Sequence, residues 1–259
     1  MTLTTDQILQ NVIDDIRRSS QQALTSGHFR GEGRGQFRQE LVLTTARVAA
    51  LHRGQRLEEV LERLIVAVMS EREVQANVCW WNQLAVTAGV IQTGNRVAAD
   101  LGRRIDDAGR VEIDVVELKA WNAHDTAQEL IEQVLWYGYA LAYLRKQSVP
   151  PYQELANLHV RLAMMAPAAY FEADRRAQDL VRLIPGMQES IERARKRYPE
   201  LAMLSMCDRL IVLDGRMEAA RFVGCFGEVA GEVKNVVTKK QDLQSLRDWI
   251  ADAFGQAGF

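Results

Sequence analysis

The sequence predicts an α/β protein in which a central mixed β-sheet is flanked by helices. Apolar residues recur at helical spacing near the N-terminus, at 55–69 and again at 125–145. Between and after these segments lie short runs typical of strands, bounded by turn-forming residues. An order of helix, strands, helix and strand is typical of layered α/β structures.

The composition is that of an ordinary folded chain. Its 259 residues, 47% of them hydrophobic, suffice for one large domain or two small ones. A net charge of -2 gives no overall attraction to nucleic acid or to anionic membranes, so local patches would have to hold such partners. Cys79, Cys207 and Cys225 lack metal-ligand or disulfide spacing and are expected to be free thiols. With no secretory signal and no apolar run of about 20 residues, we expect a soluble, cytoplasmic protein without a membrane partner.

The N-terminal part predicts a helix, a linker and a second helix. Residues 5–24 form an amphipathic helix after a cap at Thr5 or Asp6. The glycine-rich stretch 26–36 is the best linker candidate, and the next helix covers 55–69. We therefore divide the chain into an N-terminal helical extension with linker (1–50), a core (51–170) and a C-terminal α/β extension packed on the core (171–259).

The middle part predicts a meander of about three strands from residue 77 onward. A helix follows, opening at Asp125 in capping-box form with Gln128. The remaining predicted elements are a strand at 159–166, helices at 173–184 and 186–198, strands at 209–215 and 217–224, and a helix at 241–254.

The third strand of the meander contains the most informative irregularity. Val111, Ile113 and Val115 share an apolar face, and the next two positions on that face are Glu117 and Lys119. Burying such charges is costly unless they are paired or bind a metal. Two interpretations stay open: the strand end emerges into water, or it forms a buried site. Asp114, on the opposite face, is expected to mark a wetted or helix-covered edge.

The preceding strand offers a second carboxylate. A turn centred on 108–109 would set Asp100 opposite Glu117. Two carboxylates beside a lysine suit Mg²⁺, which prefers a few oxygen ligands with room for water and phosphate. Pairing Leu101 with Val115 instead slips the register by one residue and turns Asp100 to the other face, unless a bulge or bend near Asp100 or Gly102 reconciles the two.

At this point the residues resemble the PD-(D/E)xK nuclease superfamily. The pattern D-x16-E-L-K on a hairpin between two helices is similar to the superfamily motif. The run from Gln133 to Tyr137 resembles the QxxxY motif of its RecB-type members, and the run from Gly54 to Glu58 resembles their GxxxH/E motif. Ala99 stands where the motif name has proline.

The resemblance implies a restriction-endonuclease-like αβββαβ core that hydrolyses DNA phosphodiester bonds with Mg²⁺ or Mn²⁺. The implied catalytic residues are Asp100, Glu117, Lys119, Gln133 and Tyr137. The implied metal ligands are Glu58, Asp100, Glu117 and the backbone carbonyl of Leu118. Lys119 would position the attacking water, Gln133 would orient the lysine or the phosphate, and Tyr137 would line the entry.

Each of these residues also has a plain structural interpretation. Tyr137 and Gln133 lie in an apolar helix, where they would be ordinary core residues, and Glu58 lies in a glutamate-rich run typical of a solvated face. Glu59 is a rival for the role of Glu58. The metal-site interpretation therefore depends on all the motifs occurring together.

DNA would have to be held by local positive charge, although charge runs are usually solvated surface. The candidates are Arg30, Arg34 and Arg38 in the linker, Arg193, Arg195, Lys196 and Arg197 in a helix, and Lys234, Lys239 and Lys240 near the C-terminus. One alternative is a catalytically inactive protein of the same fold that acts as a nucleic-acid-binding or assembly module. In either case, a homodimer or protein partner would contact the N-terminal helix. A different α/β enzyme with a structural Glu–Lys pair lacks support, because the chain has no glycine-rich phosphate loop or GxSxG motif.

Overall fold

A computed structural model of the chain describes residues 3–26, 57–72, 77–85, 98–121, 123–149, 152–217, 222 and 240–257. The helices are α1 (Thr5–Ser26), α2 (Leu57–Arg72), α3 (Ala127–Lys146), α4 (Ala168–Glu172), α5 (Arg176–Ala194) and α6 (Lys240–Ala257). The strands are β1 (Val78–Ala85), β2 (Ala98–Asp107), β3 (Arg110–Leu118), β4 (His159–Pro167), β5 (Leu204–Met206) and β6 (Ile211–Leu213). Short 3-10 turns lie at Tyr152–Glu154, Ala173–Arg175 and Pro199–Met203.

These strands form one mixed sheet in the order β1-β2-β3-β4-β5, and β6 also pairs with β4. The first three strands are an antiparallel meander, as predicted. The crossover through α3 brings β4 parallel to β3, and β5 and β6 pair in parallel with opposite ends of β4. The predicted α/β class with a mixed sheet flanked by helices is confirmed.

Helices cover both faces of the sheet, so β3 and β4 are buried on both sides. On one face Ile13 of α1, Leu135 of α3 and Ile184 of α5 belong to the same core as Val115 of β3. On the other face α2 and α6 pack over a second core that contains Leu118. The apolar side of α1 is thus covered by the chain itself, and an assembly contact through α1 would have to use its exposed polar side.

A glycine lets α3 approach the sheet closely. A Cβ added to Gly138 would lie 2.2 Å from Leu162 Cδ2 of β4. Any side chain at this position would push α3 away from the strand. Gly138 therefore sets the distance between the sheet and the helix that carries Gln133 and Tyr137.

The helix caps differ from the prediction by one or two residues. α1 is capped by Thr4, whose hydroxyl accepts the Gln7 N–H at 3.3 Å while Gln7 Oε1 accepts the Thr4 N–H at 2.9 Å. The cap expected at Thr5 or Asp6 is therefore wrong. α3 is capped by Thr126 in a reciprocal capping box with Glu129, so the box expected at Asp125 is also wrong. In each case the residue three positions on can return a hydrogen bond to the threonine.

The two helices predicted at 173–184 and 186–198 are a single helix, α5, that runs through Pro185. An internal proline removes one helical hydrogen bond and costs roughly 3 kcal/mol. Ile184, Met187 and Ile191 are buried on both sides of it, and their packing maintains the helix. The helical backbone is interrupted before α5 instead, at Asp174 and Arg175, whose φ angles are 51° and 63°.

The C-terminal strands are shorter than predicted. β6 covers only Ile211–Leu213 of the expected 209–215, and β5 was not predicted, because three residues are too few to show a period. The strand expected at 217–224 and the linker at 26–36 lie almost wholly outside the described residues. Cys79 and Cys207 are free thiols as expected, while Cys225 is outside the described residues.

Candidate metal centre

The hairpin of β2 and β3 has the register that sets Asp100 opposite Glu117. Its turn lies at Ala108 and Gly109, with φ angles of 40° and 87°. The ladder runs without interruption from Asp107 opposite Arg110 to Leu101 opposite Val116. Continued by one residue, this register sets Asp100 opposite Glu117, and the two carboxyl groups interact. The register with a turn at 108–109 is confirmed, and the slipped register, in which Leu101 pairs with Val115, is wrong. β2 is irregular near Asp100, because its ladder with β1 skips that residue and Ala99 and Leu101 belong to opposite cores. Both faces of β3 are buried over most of its length, so burial alone does not choose between the two registers and the turn decides.

The carboxylate of Asp100 is fixed where this ladder ends. Its Oδ2 accepts the backbone N–H of Leu118 at 2.8 Å. A side chain thus replaces the strand carbonyl that would otherwise bind this N–H group. One residue further on, the Lys119 N–H donates to the Met165 carbonyl of β4 at 2.9 Å, which ties the end of β3 to both neighbouring strands.

Glu117 and Lys119 form a buried ion pair. Their side chains are only 4% and 7% exposed, and Lys119 Nζ donates to Glu117 Oε1 at 2.8 Å. The interpretation in which the strand end emerges into water is therefore wrong. The second oxygen, Glu117 Oε2, is buried and receives no hydrogen bond from an amide, hydroxyl or ammonium donor among the residues that the structure describes; the other polar group that acts on Glu117 at this end of the strand is the Asp100 carboxyl. Buried carboxylate oxygens are rarely left in this state.

Helix α2 brings two more carboxylates to the same place. Glu58 and Glu62 are one turn apart, and with Asp100 they offer three ligand oxygens within 4.8 Å of one another. Glu58 is half-buried and Glu62 is buried, so neither lies on a fully solvated face. The side chain of the rival Glu59 is outside the described residues. Glu117 is not one of these three, but its charge acts on Glu58 and Asp100, so we call Glu58, Glu62, Asp100 and Glu117 the carboxylate cluster.

Burial and the neighbouring charges raise the pKa values of carboxyl groups in the carboxylate cluster. Burial, followed by repulsion from Glu117, raises the pKa of Asp100 well above its usual range. Burial also raises the pKa of Glu117 to about 7, although the Lys119 ammonium opposes the change. Burial disfavours the charge of Lys119, but the Glu117 carboxylate outweighs it and raises the pKa of the lysine. One lysine therefore leaves excess negative charge in the cluster.

Tyr137 lies within the field of all four carboxylates. Burial raises the pKa of its hydroxyl, and Glu117, Asp100, Glu58 and Glu62 add to the effect in that order. The hydroxyl consequently stays protonated at neutral pH and remains a hydrogen-bond donor.

Asp125, which the sequence predicts as a helix cap, connects the side chain of Gln133 to that of Lys119. Gln133 Nε2 donates to Asp125 Oδ1 at 3.4 Å, and Asp125 Oδ2 lies 3.8 Å from Lys119 Nζ. Gln133 Oε1 is buried and, within the described part of the chain, has no hydrogen-bond partner. The amide group that contacts Asp125 therefore also presents a buried acceptor.

Most of the predicted site residues come together. Those that the structure places in one neighbourhood are Glu58, Asp100, Glu117, Lys119 and Tyr137, with Gln133 joined through Asp125. For Leu118 the observed contact is its N–H with Asp100, whereas the implied metal ligand was its carbonyl. Sequence reasoning missed Glu62 and Asp125. Glu62 follows Glu58 by four residues in an apolar helix, a spacing that signals a shared face.

In the basic run, Arg193 lies in the last turn of α5 and the other members follow its end; Arg193 and Arg195 are engaged within the chain, and Arg197 lies over the Tyr198 ring. Arg193 pairs with Asp6 at 2.8 Å, and Arg195 pairs with Glu192 and donates to the Leu204 carbonyl. These contacts are typical of surface ion pairs rather than of a prepared phosphate-binding face. The side chains of the other basic candidates, Arg30, Arg34, Arg38, Lys234, Lys239 and Lys240, are outside the described residues.

The fold and the site define an α/β protein with a buried carboxylate cluster joined to a lysine. No known protein family matches the chain, and no curated protein or solved structure matches it either. Within the described residues, no helix is both long enough and apolar enough to cross a lipid bilayer. Function must therefore be inferred from the chemistry of the site.

Proposed function

We propose that the protein is a divalent-metal-dependent nuclease that hydrolyses DNA phosphodiester bonds on a restriction-endonuclease-like αβββαβ core. The observation that carries the proposal is the carboxylate cluster, in which Asp100 lies with Glu58 and Glu62 of α2, their oxygens within 4.8 Å of one another, and its carboxylate acts on Glu117 of the next strand, to which Lys119 donates. The order α2, β1 to β3, α3 and β4, with β4 parallel to β3, supports the proposed core.

The residues present suit a hard divalent cation. The cluster offers oxygen ligands only, which favours Mg²⁺ or Mn²⁺ over softer metals. Glu117 Oε2 is a buried acceptor without a partner in the described part of the chain, and a cation would satisfy it. The raised pKa values of Asp100 and Glu117 indicate negative charge that a cation would neutralise. Glu58, Glu62, Asp100 and Glu117 would hold it.

When bound, a divalent cation would supply positive charge to the phosphate oxygens and lower the pKa of water. The chain's own residues supply the rest. The Leu118 N–H keeps the Asp100 carboxylate turned toward the cluster. The Lys119 ammonium remains charged, orients the attacking water and offsets negative charge that develops on the phosphate. The Tyr137 hydroxyl donates a hydrogen bond to the phosphate at the entry.

DNA cleavage tests the proposal directly. Wild-type protein is incubated with single-stranded and double-stranded DNA in Mg²⁺ or Mn²⁺, beside Glu117→Gln, Lys119→Met and the control Glu112→Gln. Glu112 is on the same strand but pairs with Arg110 at the surface, 2.8 Å away. We expect the two site variants to lose at least about 100-fold in rate, since removing one transition-state-stabilising group typically costs that much.

The control should cleave at the wild-type rate, and a chelator should stop the reaction. Cleavage that survives the chelator, or full activity in both site variants, would overturn the proposal. Metal binding by a wild-type protein that cleaves no DNA would favour the non-catalytic nucleic-acid-binding or assembly module instead.

A further inference from the structure

We infer that Asp125 is a positioning residue that holds the Lys119 ammonium in place when the carboxylate cluster carries a cation. The inference rests on the proposed function. Its basis is the 3.8 Å approach of Asp125 Oδ2 to Lys119 Nζ, together with the anchoring of Asp125 itself.

Asp125 is available for this role because it does not cap a helix. The cap of α3 is Thr126, which leaves the Asp125 carboxylate to contact other groups. Its Oδ1 accepts from Gln133 Nε2 at 3.4 Å, and its backbone carbonyl accepts from the Tyr170 hydroxyl at 3.0 Å. Two separate helices, α3 and α4, therefore hold Asp125 against the lysine.

The need for a second anchor follows from the charges around Lys119. Its closer partner, Glu117, belongs to the cluster that would bind the cation. A cation there would neutralise the charge of Glu117 and repel the ammonium, since like charges a few ångströms apart repel strongly away from bulk water. Asp125 lies outside the cluster, so the cation would not bind its carboxylate. It then provides the remaining attraction for Lys119, and Gln133 fixes the carboxylate that does so.

A conservative substitution separates this role from the structural contacts of Asp125. Asp125→Asn keeps the size, the Oδ1 acceptor for Gln133 and the backbone carbonyl for Tyr170, and it removes only the charge that faces Lys119. We expect kcat for DNA cleavage in Mg²⁺ to fall at least about tenfold, with KM for DNA and the affinity for Mg²⁺ unchanged. Asp125→Glu, which restores the charge, should recover part of the loss.

The matched control is Thr126→Ala, which removes the neighbouring helix cap. This variant should unfold at a lower temperature while its kcat stays at the wild-type value. An unchanged kcat in Asp125→Asn, or a loss of the same size in Thr126→Ala, would overturn the inference.

Urea unfolding in saturating Mg²⁺, without DNA, supplies a measurement that does not depend on activity. We expect Asp125→Asn to lower the midpoint in the wild-type background and to have a clearly smaller effect in the Lys119→Met background, because the two residues act on each other. Equal shifts in both backgrounds would overturn the inference. A wild-type protein that cleaves no DNA would overturn the nuclease proposal, and this cycle would still decide the pairing of Asp125 with Lys119.

Discussion

Two buried charge clusters on β3 are built on opposite principles. Asp114 lies in register between Arg103 of β2 and Arg161 of β4, and the two arginines satisfy both of its oxygens, Arg161 at 2.7 and 3.0 Å and Arg103 at 3.3 Å. Three residues along the strand, Glu117 keeps one oxygen without a partner among the described residues. A buried charge that is fully paired is a structural element, whereas excess buried charge of one sign indicates a place for a ligand.

The sequence predicted that Asp114 would mark a wetted or helix-covered edge, and this prediction is wrong. The residue is only 3% exposed and is paired on both sides. The turn at 108–109 sets Arg103 opposite Asp114, so the pairing of Asp114 with Arg103 could have been predicted from the sequence. The other half depends on the parallel register with β4, which no local pattern specifies.

The largest effect is expected for Asp114→Asn. The substitution leaves two arginines without their buried counter-charge, and breaking a buried pair in this way costs about 3 kcal/mol. The free energy of unfolding in urea, with a chelator present, measures the loss. Asp106→Asn is the control, because Asp106 pairs with Arg104 at the surface and such pairs contribute less than about 1 kcal/mol. Equal stability in Asp114→Asn and wild type would remove the contrast between the two clusters.

The carboxylate cluster should respond to pH in the opposite sense to an ordinary ion pair. The pKa of Glu117 is raised to about 7 from a usual 4.5, so the folded state keeps a proton that the unfolded state has lost. Stability in chelator should therefore fall as the pH rises from about 4.5 to about 7, by at most about 1.4 kcal/mol per pH unit for each proton.

The measurement is the difference between wild type and Glu117→Gln across this pH range, which isolates the contribution of the one carboxyl group. Saturating Mg²⁺ should abolish the fall, because the cation takes the place of the proton. A difference that rises with pH in chelator would contradict the excess of negative charge.

A smaller effect of opposite sign to that of Asp114→Asn is expected for Asp100→Asn. The amide oxygen can still accept the Leu118 N–H, while one of the crowded charges is removed. At pH 8 in chelator we expect the variant to be more stable than wild type by about 1 kcal/mol, an ordinary size for a single substitution. Thermal unfolding with and without Mg²⁺ measures this gain and the accompanying loss of stabilisation by metal. A destabilised variant in chelator would place Asp100 with Asp114 among the structural ions.

The sequence predicted the main elements and the hairpin register because these follow from local rules. Periodicity determines the helices and the meander, and a turn that needs positive φ at 108–109 determines which residues of β2 and β3 face each other. Helix ends were less accurate because adjacent residues satisfy the same rule. Asp125 with Gln128 and Thr126 with Glu129 both fit a capping box, and choosing the first pair hid the contact of Asp125 with Lys119.

The parts that could not be predicted depend on contacts between distant segments. Glu62 belongs to the cluster only because α2 packs beside β2. The contact of Gln133 with Asp125, and through it with Lys119, depends on how the segment between β3 and α3 runs. Pro185 signals a helix end locally, yet packing on both sides keeps α5 continuous.

Calorimetric titration of Mn²⁺ into wild type, Glu117→Gln and Asp114→Asn, with no DNA present, tests the central claim most directly. The account predicts saturable binding to wild type and to folded Asp114→Asn, and binding at least about tenfold weaker in Glu117→Gln, since loss of a carboxylate ligand removes more than 1.4 kcal/mol of affinity. Absence of saturable binding to wild type, or equal affinity in Glu117→Gln, would contradict it.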